Sequence, residues 1–107
     1  MSLFPRIKDL VRGVFARRSP KWPAVERHHL MMQPTCQACG GRAKLAVHHI
    51  KPFHLFPADE LNPANLITLC EAPQRCHLEV GHHGNWKTYN PAVIAEAAAD
   101  LAAHTQR

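Results

Sequence analysis

The sequence lacks any long apolar run, and it has few acidic residues. No stretch approaches the roughly 18 consecutive apolar residues that a membrane-spanning helix needs, and no signal-peptide core follows the basic start. Apolar residues nevertheless make up 46% of the 107 residues and charged residues only 20%, which excludes a chain that is disordered throughout. We therefore expect one small cytoplasmic domain with no membrane partner.

Acidic residues are scarcest in the first part of the chain. Residues 1–44 hold nine Lys and Arg but only two acids, whereas residues 45–107 hold four Lys and Arg against six acids. This asymmetry predicts a basic face that binds a polyanion, with DNA as the first candidate, although a merely solvated surface is the alternative. Nothing resembles a base-reading element, so sequence specificity would be low or supplied by a protein partner or a second copy.

Three segments have the pattern of helices. Apolar residues recur at helical spacing over residues 2–17, with basic residues set off the apolar stripe. Pro23 starts a second short helix, which ends before Pro34. Asn90 as N-cap, followed by proline, predicts a last amphipathic helix that runs through Leu101.

Two strands are predicted between these helices, which makes the fold class α+β. Residues 44–50 and 66–69 have strand composition, and a loop with three prolines separates them. We divide the chain into a basic helical extension (residues 1–34), a core that carries the candidate chemistry (35–89) and a C-terminal helix packed on that core (90–107).

Four cysteines suggest a structural metal site. Cys36 and Cys39 form a C-x2-C knuckle, and two glycines behind it allow the tight turn that aims both sulfurs inward. Cys70 and Cys76 form a wider second pair. Four thiolates suit tetrahedral Zn²⁺, which would stabilise a domain with a small core. The alternatives are two disulfides, which would require an exported protein, and four buried free thiols.

An ordered set of motifs resembles the HNH nucleases of the ββα-metal fold. In that family a strand with His, a loop with Asn, a second strand and a helix with the last His build one metal site, and zinc-stapled members add two cysteine pairs. The resemblance covers residues 36–83 and implies a small ββα-metal core with a four-cysteine zinc site, flanked by N- and C-terminal helices. The motifs are Cys36-x2-Cys39, Val47-His48-His49-Ile50, Asn62-Pro63-Ala64-Asn65-Leu66, Leu69-Cys70 and Cys76-His77.

The resemblance assigns a role to each of four residues. His49 resembles the general base, and His48 beside it resembles a metal ligand. His77 resembles the second ligand, and Asn65 the residue that braces the catalytic loop. Because neighbouring strand residues point to opposite faces, the strand must end or twist at the His pair if both are to serve one site.

The motif leaves two features of the metal site open: the third ligand and the identity of the metal ion. Residue 81 is Gly, so His82 is the candidate ligand, with His83 behind it. Many relatives have Asp where this chain has His48. Imidazole favours Zn²⁺, Ni²⁺, Co²⁺ or Mn²⁺ over the Mg²⁺ that carboxylates favour, so a catalytic divalent ion could be any of these five.

We expect a metal-dependent endonuclease that hydrolyses DNA phosphodiester bonds. One rival is a zinc-stapled module that binds DNA without cutting it, and another is a structural domain whose His residues complete a zinc cluster. The co-occurrence of His48, His49, Asn65 and His77 favours the nuclease, because DNA binding requires basic residues and a scaffold but no aligned imidazoles.

The basic first third of the chain predicts non-specific affinity for DNA phosphates. Alanine at any one of four residues should weaken binding to all DNA sequences alike and lower the slope of log K against log [salt] by about one unit. Titration of fluorescent duplexes at several salt concentrations measures both quantities. Truncation of residues 1–18 without loss of affinity would contradict this prediction. The four residues are Arg12, Arg17, Arg18 and Lys21.

Overall fold

The computed structural model of the chain describes residues 17–105. The predicted first helix, apart from its last residue, and Arg12 lie outside the described residues. The rest is a small α+β fold, as the sequence predicted. Its elements are α1 (Trp22–Met32), β1 (Leu45–His49), β2 (Leu66–Cys70), one π-helical turn (His77–Gly81) and α2 (Val93–Thr105).

The two strands form an antiparallel ladder at the centre of the fold. Leu45 pairs with Cys70 at one end and His49 pairs with Leu66 at the other. Every residue of β2 is buried. Both predicted strands are confirmed to within a residue or two at each end. Because β1 ends at His49, the candidate catalytic residues His48 and His49 lie at the end of the ladder.

The segment that follows α1 covers the free edge of β2. Thr68 donates its N–H to the side-chain oxygen of Gln33 at 2.7 Å and its hydroxyl to the Gln33 carbonyl at 2.8 Å. The N–H of Gln37 donates to the Thr68 carbonyl at 3.0 Å. The polar backbone of this edge is therefore satisfied within the domain, and the edge is not open to another strand.

The predicted helix that carries the last His is a single π-helical turn. The chain turns away directly after it, where His83 and Gly84 adopt left-handed backbone conformations with φ of +52° and +80°. The N–H of Gly84 donates to the Leu78 carbonyl at 2.8 Å and closes the turn. His77 and His82 therefore lie on a short, tightly closed segment rather than along a helix.

Asn90 joins α2 to this turn. Its side chain, with 1% of its surface exposed, accepts a bond from the Ala92 N–H and donates to the Val80 carbonyl and the Glu96 carboxylate, each at 2.9 Å. Asn90 thus caps α2 as predicted, although the helix begins at Val93 rather than at the proline. Among the helices of residues 17–105, none has the length and apolar character that a membrane span requires.

Asn90→Ala should lower the free energy of unfolding by about 2 kcal/mol, because it removes a cap and leaves a buried carbonyl without its donor. Urea unfolding of the zinc-loaded protein measures this. Asn62→Ala is the matched control, since Asn62 makes a similar turn bond, to the Ala64 N–H at 3.1 Å, but is exposed. Equal losses in the two variants would contradict the prediction.

Candidate metal centres and active site

The four cysteine sulfurs lie close enough to share one metal ion. All lie within 4.8 Å of one another, and the sulfurs of Cys39 and Cys70 are 3.8 Å apart. A tetrahedral zinc ion with Zn–S bonds of about 2.3 Å places its sulfurs about 3.8 Å apart. All four are free cysteines, as a thiolate metal site requires. The cluster can hold a structural zinc ion.

Local backbone geometry brings the two pairs together. Gly40 has φ of +79° and donates its N–H to the Cys36 carbonyl at 2.8 Å, which closes the knuckle. This left-handed conformation favours glycine. The N–H of Cys70, at the end of β2, donates to the Cys36 sulfur at 3.4 Å. The five residues before Cys76 loop away from the site, so the wide spacing of the second pair does not separate the sulfurs.

The electrostatics of the cluster also suit a cation. Burial favours the neutral thiol of Cys36, but the N–H groups of Ala38, Cys39 and Cys70 outweigh it and lower the pKa of Cys36. Burial raises the pKa of Cys39 and of Cys76, and neighbouring thiols add to this. Four thiolates can coexist in this space only with a cation to neutralise them.

Three histidines form a second cluster. His48 from β1, His77 from the π-helical turn and His82 just after it each place one ring nitrogen within 4.8 Å of the other two. His83, the alternative third ligand, is exposed and bonds the Glu96 carboxylate at 2.9 Å instead. Of the two candidates named from the sequence, the structure brings only His82 to the cluster.

Hydrogen bonds to Nδ1 fix the orientation of two of these rings. His77 Nδ1 bonds the Glu71 carboxylate, and His82 Nδ1 donates to the Thr88 carbonyl at 2.6 Å. Nε2 of each ring is therefore the nitrogen left for a metal. A carboxylate or carbonyl behind a histidine is the usual support of a metal ligand. Glu71 and Thr88 were not identified from the sequence, since neither is part of a recognisable motif.

His48 Nε2 is the strongest indication that the cluster holds a metal. It is the one buried side-chain nitrogen or oxygen of the described residues without a hydrogen-bond partner. Such an atom is costly unless something binds it. Burial, with the nearby His77, His82 and His49, lowers the pKa of His48 to about 3. The ring is thus neutral, the form that ligates a metal.

Gly81 lies directly against the ring of His48. A Cβ atom at residue 81 would lie 3.1 Å from His48 Cε1 and 3.2 Å from Nε2, which is too close without a shift. Any side chain here would press on the ring at its unpartnered nitrogen. A glycine inside a helical pattern, directly before His82, was the sequence signal of this close approach.

His49 lies in the same cleft but outside the three-histidine cluster. Its Nε2 donates to the Glu60 carbonyl at 2.9 Å, and its ring packs on Trp22 with centroids 4.5 Å apart. A carbonyl only accepts, so Nε2 carries the proton and Nδ1 is the acceptor. Burial lowers the pKa of His49, which keeps the ring neutral near pH 7. The site therefore contains a separate proton acceptor.

Asn65 ties the loop after β1 to the start of β2. Its side-chain oxygen accepts from the Lys51 N–H at 2.8 Å, and its amide donates to the carbonyls of Lys51 and Asp59 at 3.1 and 3.2 Å. The Ile50 N–H donates to the Asn65 carbonyl at 2.8 Å. These bonds fix the backbone on the C-terminal side of His49.

The two histidine groups share one cleft of about 350 Å³. Arg17 and Lys21 are exposed and do not line it, whereas Arg18 does. Trp86 lines the cleft as well. Its side chain is 56% exposed, and its ring centroid lies 5.1 Å from that of His77 and 4.9 Å from that of His82. The lining includes Arg18, His48, His49, His77, His82 and Trp86.

Residues 36–83 match the family model described as HNH endonuclease. This segment is similar to HNH domains. The match confirms the resemblance drawn from the motifs, and it contains both cysteine pairs, both histidine groups and Asn65. It spans just under half of the chain, so Arg18, Trp22 and α2 lie outside it. No curated protein and no solved structure matches the chain.

Loss of zinc from the cysteine cluster should destabilise the HNH domain. Thiolate ligation couples metal binding to folding, so chelation or Cys39→Ser should lower the melting temperature by at least about 10 °C. Thermal unfolding and elemental analysis measure the two effects. Arg42→Ser is the control, since Arg42 is exposed just beyond the knuckle. Absence of zinc in the parent, with an unchanged melting temperature in chelator, would contradict the prediction.

Proposed function

We propose that the HNH domain is a metal-dependent endonuclease that hydrolyses DNA phosphodiester bonds. The observation that carries the proposal is the pairing, in one cleft, of a three-imidazole ligand set with a fourth imidazole held apart from it. A structural domain would need no second cluster, because the four cysteines already complete a tetrahedral site. A DNA-binding module would need no proton acceptor beside it.

In this proposal His48, His77 and His82 hold a divalent ion. When bound, the ion supplies a Lewis acid for the charge that develops on the phosphate. Three imidazole donors favour Zn²⁺, Ni²⁺, Co²⁺ or Mn²⁺ over Mg²⁺. The unpartnered His48 Nε2 and the hydrogen bonds behind His77 and His82 support this assignment.

His49 acts as the general base. Its Nδ1 takes a proton from the attacking water, while the oxygen of that water bonds to phosphorus and the P–O3′ bond breaks. The 3′ oxygen leaves with the electron pair of that bond and takes a proton from solvent water. The bond from Nε2 to the Glu60 carbonyl keeps the ring in the tautomer that can accept this proton. Asn65 braces the backbone beside His49 through its bonds to Lys51 and Asp59.

The substrate is DNA, bound mainly through its phosphates. The half-exposed Arg18 at the cleft and the exposed Arg17 and Lys21 near it supply positive charge on the approach to the histidines. Such contacts position a backbone without reading its sequence. A protein partner or a second copy would supply any specificity.

His49→Ala should lower the cleavage rate by about 10²- to 10⁴-fold, because general acid–base catalysis contributes that much. The fold, the zinc content and most of the DNA affinity should remain. Plasmid cleavage by purified protein across a panel of divalent metals measures the rate. His28→Ala is the control, since His28 is exposed on α1 and does not line the cleft, and it should cut as the parent does.

Substitution of the ligands should give a different result. His48→Ala or His77→Ala should weaken binding of the divalent ion, so that a higher metal concentration recovers part of the activity. Asn65→Ala should have an intermediate effect, because it removes only the brace. If His49→Ala cut as fast as the parent while His48→Ala were inactive, the two roles would be exchanged. If neither change mattered, a non-catalytic DNA-binding module would replace the nuclease.

A further inference from the structure

Glu60 contacts the candidate catalytic base and the start of α1 at the same time. Its carboxylate, in a residue only 5% exposed, accepts the Ser19 N–H on both oxygens at 3.0 and 3.2 Å. Arg18 Nη1 lies 3.7 Å from the same carboxylate. The Glu60 backbone carbonyl accepts the proton on His49 Nε2. One buried residue therefore holds the base with its main chain and the segment before α1 with its side chain.

The held segment returns to His49 through Trp22. The Ser19 carbonyl accepts the Trp22 N–H at 3.0 Å, which fixes the first residue of α1 relative to Ser19. The Trp22 ring then packs against the His49 ring at an interplanar angle of 36°. The contacts therefore form a closed loop. It runs from His49 to Glu60, Ser19 and Trp22 and returns to the His49 ring.

Both contacts are needed to fix the ring. A single hydrogen bond to Nε2 sets the direction of one nitrogen but leaves the imidazole free to tilt about that bond. The Trp22 ring against one face removes this freedom. Because a displacement of about 1 Å in a reacting group can cost about 100-fold in rate, such a restraint has a measurable effect on catalysis.

We propose that Glu60 and Trp22 are positioning residues for His49, and that Glu60 acts from both of its ends. This inference rests on the proposed nuclease function. Both residues were missed by the sequence analysis as parts of the site, and Trp22 and Ser19 lie before the matched segment that contains the base. In this proposal, the segment before the HNH match helps to position the base, in addition to any role in binding DNA.

Two pairs of variants test the proposal by kinetics. Glu60→Ala and Trp22→Leu should each lower kcat by about 10- to 100-fold, with KM changed by less than about twofold, since the base is displaced while the DNA contacts remain. Glu60→Gln keeps an oxygen for the Ser19 N–H, and Trp22→Phe keeps a ring. Both conservative variants should retain kcat within about threefold of the parent.

Asp100→Asn is the control, because Asp100 is an exposed acidic residue on α2 and does not line the cleft. It should leave kcat and KM unchanged. Zinc content and melting temperature establish that each variant is folded. If Glu60→Ala does not fold, the comparison of Trp22→Leu with Trp22→Phe decides the proposal.

The NMR signals of the His49 ring protons provide a measurement that does not depend on cleavage. Ring current from Trp22 should shift them upfield in the parent, in Glu60→Gln and in Asp100→Asn. The shift should vanish in Trp22→Leu and shrink in Glu60→Ala. An unchanged His49 signal in Glu60→Ala, or an unchanged kcat in both disruptive variants while the parent cuts DNA, would overturn the proposal. A parent that cuts no DNA with any metal would instead refute the proposed function, and the inference with it.

Discussion

The five-residue ladder between β1 and β2 determines the position of both candidate metal sites. At one end, Cys70 leaves β2 directly into the cysteine cluster; at the other, β1 ends on His48 and His49. A slip of one residue in this register would turn every β1 side chain to the opposite face and remove His48 from its partners. The full burial of β2 and the bonds from Thr68 to the Gln33 segment fix that register.

In the proposed function, the cysteine cluster serves stability and the histidine cluster serves catalysis, and the two use different donor types. Four thiolates enclose a metal ion completely and leave no open position, which suits a structural site in a domain with a small core. Three imidazoles leave positions open for a substrate. Three of the cysteines come from the knuckle and from the far end of β2, whereas the histidines come from the end of β1, from the π-helical turn and from the residue after it. The fourth cysteine, Cys76, directly precedes His77, so the two sites meet at the start of this turn.

The sequence was most informative where spacing alone determines geometry. The knuckle, the two strands and the cap at Asn90 depend on near neighbours, and the structure shows all of them. Contacts between distant residues were not predictable: Ser19 and Glu60 are 41 positions apart, and no periodic pattern pairs them. The π-helical turn was also missed, because apolar periodicity does not distinguish it from a regular helix over five residues.

The adjacent residues His48 and His49 depend on opposite ends of the chain. His48 completes a cluster whose other members lie on or beside the turn that Asn90 attaches to α2. His49 is held by Glu60 and by Trp22 at the start of α1. Substitutions near one terminus can therefore change the contacts of one of these two histidines and leave the contacts of the other unchanged. In the proposed function, related chains with diverged flanking segments can differ in metal preference and keep the same geometry at His49. They can equally differ at His49 and keep the same metal preference, while the matched motif stays unchanged.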